Sequence, residues 1–133
     1  MAFLPVKFDG SCKPQSIDYL PAAAITPKVG MALFPDSDGQ LAIATTGKVG
    51  YISLIEKSAA VTAGTLIPVL HVTKDMLFET VFSASASGID PGDTVSVASD
   101  GLRATASANS SYHVEIVQKF GSSSGDKVRV RFV

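Results

Sequence analysis

Two histidines, one cysteine and an acidic turn are the residues of this chain with the most obvious chemical potential. His71 and His113 each lie alone in a β-like run, without the further ligands at short spacing that a zinc site needs. Residues 36–39 (DSDG) are similar to the start of a calcium loop, but the third acidic ligand and the later glutamate are missing. Cys12 stands among prolines, a poor setting for a nucleophile held against a base. This pattern predicts no metal, no cofactor and no catalytic residue.

The serines and the basic residues likewise indicate no reaction. No serine lies in a G-x-S-x-G elbow, and the chain has no glycine-rich phosphate loop. Lys127, Arg129 and Arg131 alternate with apolar residues near the end of the chain. They could contact phosphate or an acidic partner, but the favoured interpretation is protection of an edge strand against unwanted pairing. We therefore predict that the protein is not an enzyme.

The overall composition indicates an apolar protein of nearly neutral charge. Of its 133 residues 46% are hydrophobic and only 17% are charged, with a formal net charge of −1. This balance argues against a protein whose main partner is nucleic acid. With a mean hydropathy of +0.30, some of the surface is expected to be covered by a neighbour. The single cysteine excludes an intramolecular disulfide. We also expect no membrane span and no secretory signal, and hence synthesis in a reducing cytoplasm.

Residues 91–107 (PGDTVSVASDGLRATAS) predict a β-hairpin. Proline and glycine at positions 91 and 92 favour a turn, and residues 94–97 alternate polar and apolar side chains as a half-buried strand does. Asp100-Gly101 suits a tight turn in which both residues have positive φ. Residues 102–106 then return as the second strand.

The same pattern occurs earlier in the chain, over residues 31–45 (MALFPDSDGQLAIAT). Gly39 aligns with Gly101, 62 residues later, and the turns and strands then stay in register without gaps. Apolar positions also coincide, as at Leu33 and Val95. Either one hairpin-based unit occurs twice, or two independent meanders fall in step. Both alternatives predict an all-β core.

Residues 29–133 are expected to form a single β-domain of about nine short strands, with the spacing typical of a small β-barrel or β-sandwich. Residues 77–83 are assigned to a strand because Thr-Val-Phe is rich in β-formers, with two helical turns over residues 74–82 as the alternative. Pro68 interrupts residues 66–72, which places that run on an edge strand or at a bulge.

Residues 1–28 have a different character. Prolines at positions 5, 14, 21 and 27 prevent a helix and favour an extended path. The segment also carries apolar side chains that would be poorly stable in water: Phe3, Leu4, Val6, Phe8 and Tyr19. We expect an extended N-terminal arm that lies either on a partner or on its own domain.

Three pieces of the second half share a recognisable pattern: residues 91–97 (PGDTVSV), 100–106 (DGLRATA) and 125–132 (GDKVRVRF). Residues 62–64 add a T-A-G turn. This pattern resembles that of the head decoration, or capsid cement, proteins of tailed bacteriophages, over about residues 29–133. The proline-rich arm and the insertion at residues 74–82 depart from the shortest members of that family.

The resemblance implies a non-enzymatic protein on the outer surface of the virion head. Such proteins typically sit as homotrimers at three-fold positions, bind the major capsid protein and oppose the pressure of packaged DNA. In this interpretation the arm joins the sheet of the capsid protein, and Phe3, Leu4, Val6 and Phe8 are the capsid-binding anchors. Membrane and nucleic acid are not expected as partners.

Two other functions are left open. One is a carbohydrate-binding β-sandwich displayed on a virion or an enzyme, although the absence of Trp and the presence of only three Tyr count against the aromatic platform that sugars require. The other is a head–tail connector or tail-tube subunit, which would form rings instead of three-fold clusters.

Overall fold

The computed structural model describes residues 2–7, 17–46 and 48–133 and shows an all-β protein. These residues contain ten strands and no helix, in two antiparallel sheets of five strands each, consistent with a small β-sandwich. The all-β prediction is therefore confirmed. The strands are β1 (Leu4–Lys7), β2 (Ile17–Pro21), β3 (Ala32–Pro35), β4 (Leu41–Ile43), β5 (Tyr51–Ser53), β6 (Leu66–His71), β7 (Leu77–Val81), β8 (Thr94–Val95), β9 (Val114–Lys119) and β10 (Lys127–Phe132).

Sheet A has the order β1-β7-β10-β9-β8, and sheet B has the order β2-β6-β5-β3-β4. Alternation decides which side chains enter the core. In β10, for example, Val128, Val130 and Phe132 are buried while the residues between them are not. The larger core cluster joins the inner side of sheet A to Ala32, Ile52 and Leu70 of sheet B. A second cluster lies on the opposite side of sheet B, under the loops that follow β2 and β5.

The two halves of the chain share one architecture. The order β2-β6-β5-β3 in sheet B matches the order β7-β10-β9-β8 in sheet A. Each half also has an isolated parallel bridge that joins the end of its first strand to the second arm of its hairpin. The bridge lies between Ala22 and Leu41 in the first half and between Phe82 and Ala104 in the second.

The glycines with positive φ follow the same repeat. Every such residue in the described part of the chain has a counterpart 61 or 62 positions away, and no residue other than glycine has positive φ there. Since only glycine adopts this backbone conformation without strain, the shared positions mark shared turns. The repeat predicted from the hairpin pattern is thus present in the structure as a repeat of turns. The pairs are Gly30 with Gly92, Gly39 with Gly101, and Gly64 with Gly125.

The second hairpin is smaller than predicted, because only Thr94–Val95 of it forms a strand and residues 102–106 do not. Val97 bridges Ala104 in the antiparallel sense, and the turn closes with a hydrogen bond from Gly101 N–H to Ala98 C=O of 2.9 Å. Only Gly101 has positive φ, at 75°, so the expectation of two positive-φ residues was wrong. The Ala98 N–H donates to the Arg103 carbonyl at 2.8 Å, and the four residues between them contain one left-handed residue, Gly101. Asp100 instead accepts a hydrogen bond from the Leu102 N–H at 2.9 Å.

The strand that carries the basic residues lies inside sheet A, between β7 and β9. The interpretation of Lys127, Arg129 and Arg131 as edge protection was therefore wrong. They line the outer side of the sheet beside two carboxylates. Arg131 Nη2 lies 2.8 Å from Glu115 Oε1, and Glu79 accepts ion pairs from Arg129 at 3.6 Å and Lys127 at 3.7 Å. Opposite charges on neighbouring strands stabilise the wet face of the sheet.

Pro68 is likewise not on an edge strand, because β6 lies between β2 and β5, and the register shows no shift at this position. The last residue of β5 to pair with β6 is Ser53, opposite Val69. Beyond that point the Leu54 N–H donates to the Pro68 carbonyl at 3.0 Å. Since β5 ends there, the missing N–H of proline interrupts no regular ladder.

Residues 77–83 are confirmed as a strand over Leu77–Val81. The segment expected to be an arm forms two strands of the domain itself. β1 pairs with β7 at the edge of sheet A, and β2 pairs with β6 at the edge of sheet B. In the described residues, the alternative in which this segment lies on its own domain therefore holds.

Candidate interaction surface

The first edge strand, β1, places two apolar side chains at the surface. Leu4 pairs with Glu79 of β7, and the pairing shifts register between Pro5 and Lys7. Leu4 is 42% exposed and Val6 is 44% exposed. No strand of the described residues lies on the other side of β1. Two of the four anchors predicted from the sequence are therefore accessible at a sheet edge.

Phe3 has a different role from the one predicted. It is fully buried, and its ring centroid lies 5.3 Å from that of Phe132 in the larger core cluster. Its N–H donates to the Gly30 carbonyl at 3.0 Å. At Gly30 a β-carbon would clash with the Ala2 β-carbon, so glycine is what lets the first residues pass this close. Phe3 stabilises the domain and is not exposed for a partner. The fourth predicted anchor, Phe8, lies outside the described residues.

A group of exposed apolar side chains lies on β2 and β6, on the face of sheet B that also carries Leu70. We call it the β2–β6 patch and define it by Ile17, Tyr19, Pro21, Leu66 and Pro68. In the register of these strands Tyr19 is opposite Pro68, and Pro21 is opposite Leu66, so these side chains share one face. Tyr19 is 66%, Leu66 61% and Ile17 60% exposed.

The β2–β6 patch is the uncovered end of a face that is buried further along. Leu70 and Ile52 lie on the same face and belong to the larger core cluster, where Leu70 is only 5% exposed. Ile17 is directly opposite Leu70 in the register. The second half of the chain therefore covers one end of this face and leaves the other end open.

The sequence identifies Tyr19 as an apolar residue of the arm, but it does not predict the β2–β6 patch. The local signal is the alternation of Ile17, Asp18 and Tyr19, which is typical of a strand. Nothing local shows that this strand pairs with residues 66–70, which follow some 50 positions later. Only the strand pairing brings Leu66 and Tyr19 onto one surface.

Both histidines and Glu56 have local partners. His113 Nδ1 lies 3.1 Å from the Val133 carbonyl oxygen, and the His71 ring stacks on Tyr51 with centroids 5.3 Å apart. A hydrogen bond from the Val29 N–H, together with the nearby Lys28 ammonium, holds the pKa of the Glu56 carboxyl below its ordinary value of 4.5. Nowhere in the described ranges do three His, Cys, Asp or Glu side chains come together as metal ligands would.

Two shallow cavities lie on the described surface. One, of about 300 Å³, lies between residues 92–94 and residues 108–110. The other, of about 270 Å³, lies beside Phe34, over whose ring the Lys48 ammonium sits at 5.1 Å from the centroid. Asp93, in the first cavity, already accepts a hydrogen bond from the Asp90 N–H at 2.9 Å. Neither cavity shows an arrangement of nucleophile and base.

No protein-family model, no curated protein and no solved structure matches this chain. The described residues also contain no helix with the length and apolarity needed to cross a bilayer. The most distinctive features of the described surface are two edge strands with exposed apolar side chains, β1 and β2, which suit binding to another protein.

Proposed function

We propose that this protein is a non-enzymatic structural protein that binds the outside of an assembled bacteriophage head and stabilises it. The observation that carries the proposal is the open edge of β1, with Leu4 and Val6 exposed beside it. The resemblance of the turn motifs to capsid decoration proteins supports the same function. The partner is then the major capsid protein, and the location is the outer surface of the virion head.

Strand addition is the binding mode that such an edge supports. An extended segment of the capsid protein would pair with the free main-chain groups of β1, while Leu4 and Val6 enter pockets between its side chains. Pro5 contributes no N–H, so the affinity depends more on the two side chains than on a long ladder. Lys7 ends the strand, and a positive charge at an edge limits pairing with unrelated strands.

The attachment of β1 to the β-sandwich is what would let this contact stabilise a shell. Phe3, directly before β1, is buried in the core beside Phe132, so the proposed contact lies next to a residue fixed in the domain. A shell offers many equivalent sites, and subunits pinned at several points resist separation even if each contact is modest. By the resemblance, the copies would stand as homotrimers at three-fold positions of the shell.

The experiment is cosedimentation of the purified protein with mature shells that lack it, followed by cryo-electron microscopy of the shells. We expect saturable binding with density at three-fold positions and β1 in contact with the capsid protein. Density at a single vertex would support a connector or tail role instead. Absence of binding to shells that lack the protein would refute the proposal.

A pair of variants locates the contact. The double variant Leu4→Asp, Val6→Asp removes two apolar contacts, and we expect shell affinity to fall at least about tenfold, as for central interface side chains. Leu54→Asp is the matched control, since Leu54 is 38% exposed but lies beyond β5 in sheet B. Equal loss of binding in both variants would contradict an assignment of the contact to β1.

A further inference from the structure

The internal repeat places the same tripeptide, Ser-Asp-Gly, in two corresponding turns. It occupies residues 37–39, between β3 and β4, and residues 99–101, in the turn of the second hairpin. The two glycines have nearly the same positive φ, 74° and 75°. Each also donates its N–H to the carbonyl three residues earlier, at 3.0 Å in the first turn and 2.9 Å in the second. The two turns therefore share their local sequence and their glycine conformation, and they differ in their surroundings.

An aspartate that precedes glycine can rearrange without an enzyme, because glycine has no side chain to hinder the reaction. The glycine amide nitrogen attacks the side-chain carboxyl carbon, and the amide hydrogen leaves with the carboxyl hydroxyl group as water. The product is a five-membered succinimide ring, to which water then adds back. When this water breaks the bond between the nitrogen and the former main-chain carbonyl carbon, isoaspartate is formed. Its main chain runs through the side-chain carboxyl carbon and contains one additional methylene. Ring closure requires a free carboxyl group and a backbone that can rotate at the aspartate.

The second turn restrains the groups that this reaction uses. The Asp100 carboxylate accepts the Leu102 N–H on Oδ1 at 2.9 Å, and its Oδ2 pairs with Arg103 Nε at 2.8 Å. Gly101 is buried, and its carbonyl accepts the Ala32 N–H at 2.8 Å. Its α-carbon is also packed closely against neighbouring side chains. Ring closure at this turn would therefore require several contacts of the folded domain to break together.

The first turn leaves the same groups accessible. Asp38 and Gly39 are exposed, and within the described residues the Asp38 carboxylate has neither a hydrogen bond nor an ion pair. No atom lies within 4 Å of a β-carbon built on Gly39. The turn is held by Asp36, whose Oδ1 accepts the N–H groups of Asp38 at 2.9 Å and Gln40 at 3.0 Å. Water competes for these surface hydrogen bonds, so this turn opens without disturbing the core.

We propose that Asp38 is a modification site of the folded protein, which converts to isoaspartate through a succinimide with Gly39, whereas Asp100 does not. The product has a free α-carboxylate beside the main chain. This is the group that isoaspartyl methyltransferases esterify, by moving a methyl group from the sulfonium sulfur of S-adenosylmethionine to a carboxylate oxygen. The additional methylene lies in the turn that connects β3 to β4, the strand at one edge of sheet B. The proposal does not rest on the proposed function.

The two identical tripeptides provide the control for the experiment. The full-length protein is incubated folded and, in parallel, unfolded in urea, and is then digested with trypsin. The two sites fall in separate peptides, residues 29–48 and residues 75–103. Isoaspartate in each peptide is measured as the labelled methyl group that isoaspartyl methyltransferase transfers from S-adenosylmethionine. In the folded protein we expect at least about tenfold more isoaspartate at Asp38 than at Asp100, because the exposed turn opens far more often. In urea the two amounts should become similar, because the tripeptides are the same.

The variant Asp38→Glu identifies the residue that reacts, since Asp36 lies in the same peptide. Glutamate keeps the negative charge but would have to close a larger ring, so we expect the methyl label in residues 29–48 of the folded protein to be lost. A label that persists in this variant would overturn the assignment to Asp38. Equal amounts of isoaspartate at Asp38 and Asp100 in the folded protein would also overturn the proposal. So would a folded protein without isoaspartate in residues 29–48 at a time when the sample in urea has formed it.

Discussion

Replacing Phe3 by alanine tests whether the first residues belong to the core. The ring is fully buried and contacts Phe132, with centroids 5.3 Å apart. Removal of a buried phenylalanine side chain costs about 3–5 kcal/mol, from lost transfer free energy and from the cavity that remains. Since whole domains are stable by only about 5–15 kcal/mol, this is a large part of the free energy of unfolding.

The assay is thermal and urea-induced unfolding followed by circular dichroism. For a domain of this size, 3–5 kcal/mol corresponds to a fall in Tm of roughly 10–20 °C. Leu4→Ala is the control, because this neighbouring side chain is 42% exposed and its loss should cost less than about 1 kcal/mol. If both variants unfolded like the wild-type protein, Phe3 would not be a core residue, and the first strand would be an arm free to leave the domain. In that case the docking of the whole segment onto a partner would again be the better interpretation.

Three further predictions concern the turns, the core and pH. In urea unfolding, Gly101→Ala should lower the free energy of unfolding distinctly more than Gly39→Ala does. Both residues have positive φ, but only at Gly101 would the new β-carbon meet a neighbouring atom, Met31 Cγ, at 2.9 Å. Equal losses of stability would refute this packing argument. Thr80→Val should destabilise by about 1–3 kcal/mol in the same assay, because the buried Thr80 hydroxyl donates to the Leu102 carbonyl at 2.7 Å and that carbonyl would lose this donor. The lowered pKa of Glu56 means that its stabilising contribution is complete above its ordinary pKa of 4.5 and is lost as the pH falls through the lower folded value. Glu56→Gln should therefore reduce the acid-dependent loss of stability, and an NMR titration showing an ordinary pKa for Glu56 would contradict this.

Local chemistry in the sequence determined the fold class, the first hairpin and the repeat of turns. Period-2 alternation marks strands because successive side chains point to opposite faces, and residues 127–133 show this most clearly. The turns at Gly39 and Gly101 were visible because a left-handed backbone position selects glycine. Such signals act over a few residues and need no knowledge of the partner strand.

Strand order was decided only by the tertiary structure. Lys127, Arg129 and Arg131 have the alternation of an edge strand, yet β10 pairs on both sides, and its charges are compensated by Glu79 and Glu115 from neighbouring strands. The same holds for Pro68, whose strand is internal because β5 ends before the proline would interrupt it. Which strands become neighbours depends on contacts between residues far apart in sequence, and a local pattern carries no information about them.

The role of the N-terminal residues shows the same division. Sequence alone identified Phe3, Leu4 and Val6 as apolar residues in an extended segment, which is what β1 is. It could not separate Phe3, which is buried beside Phe132, from Leu4, which faces solvent. Nor could it bring Tyr19 and Leu66 together, since their proximity depends on the pairing of β2 with β6. Hydrophobicity belongs to the single residue and can be read from the sequence, whereas burial depends on which other residues the fold places around it.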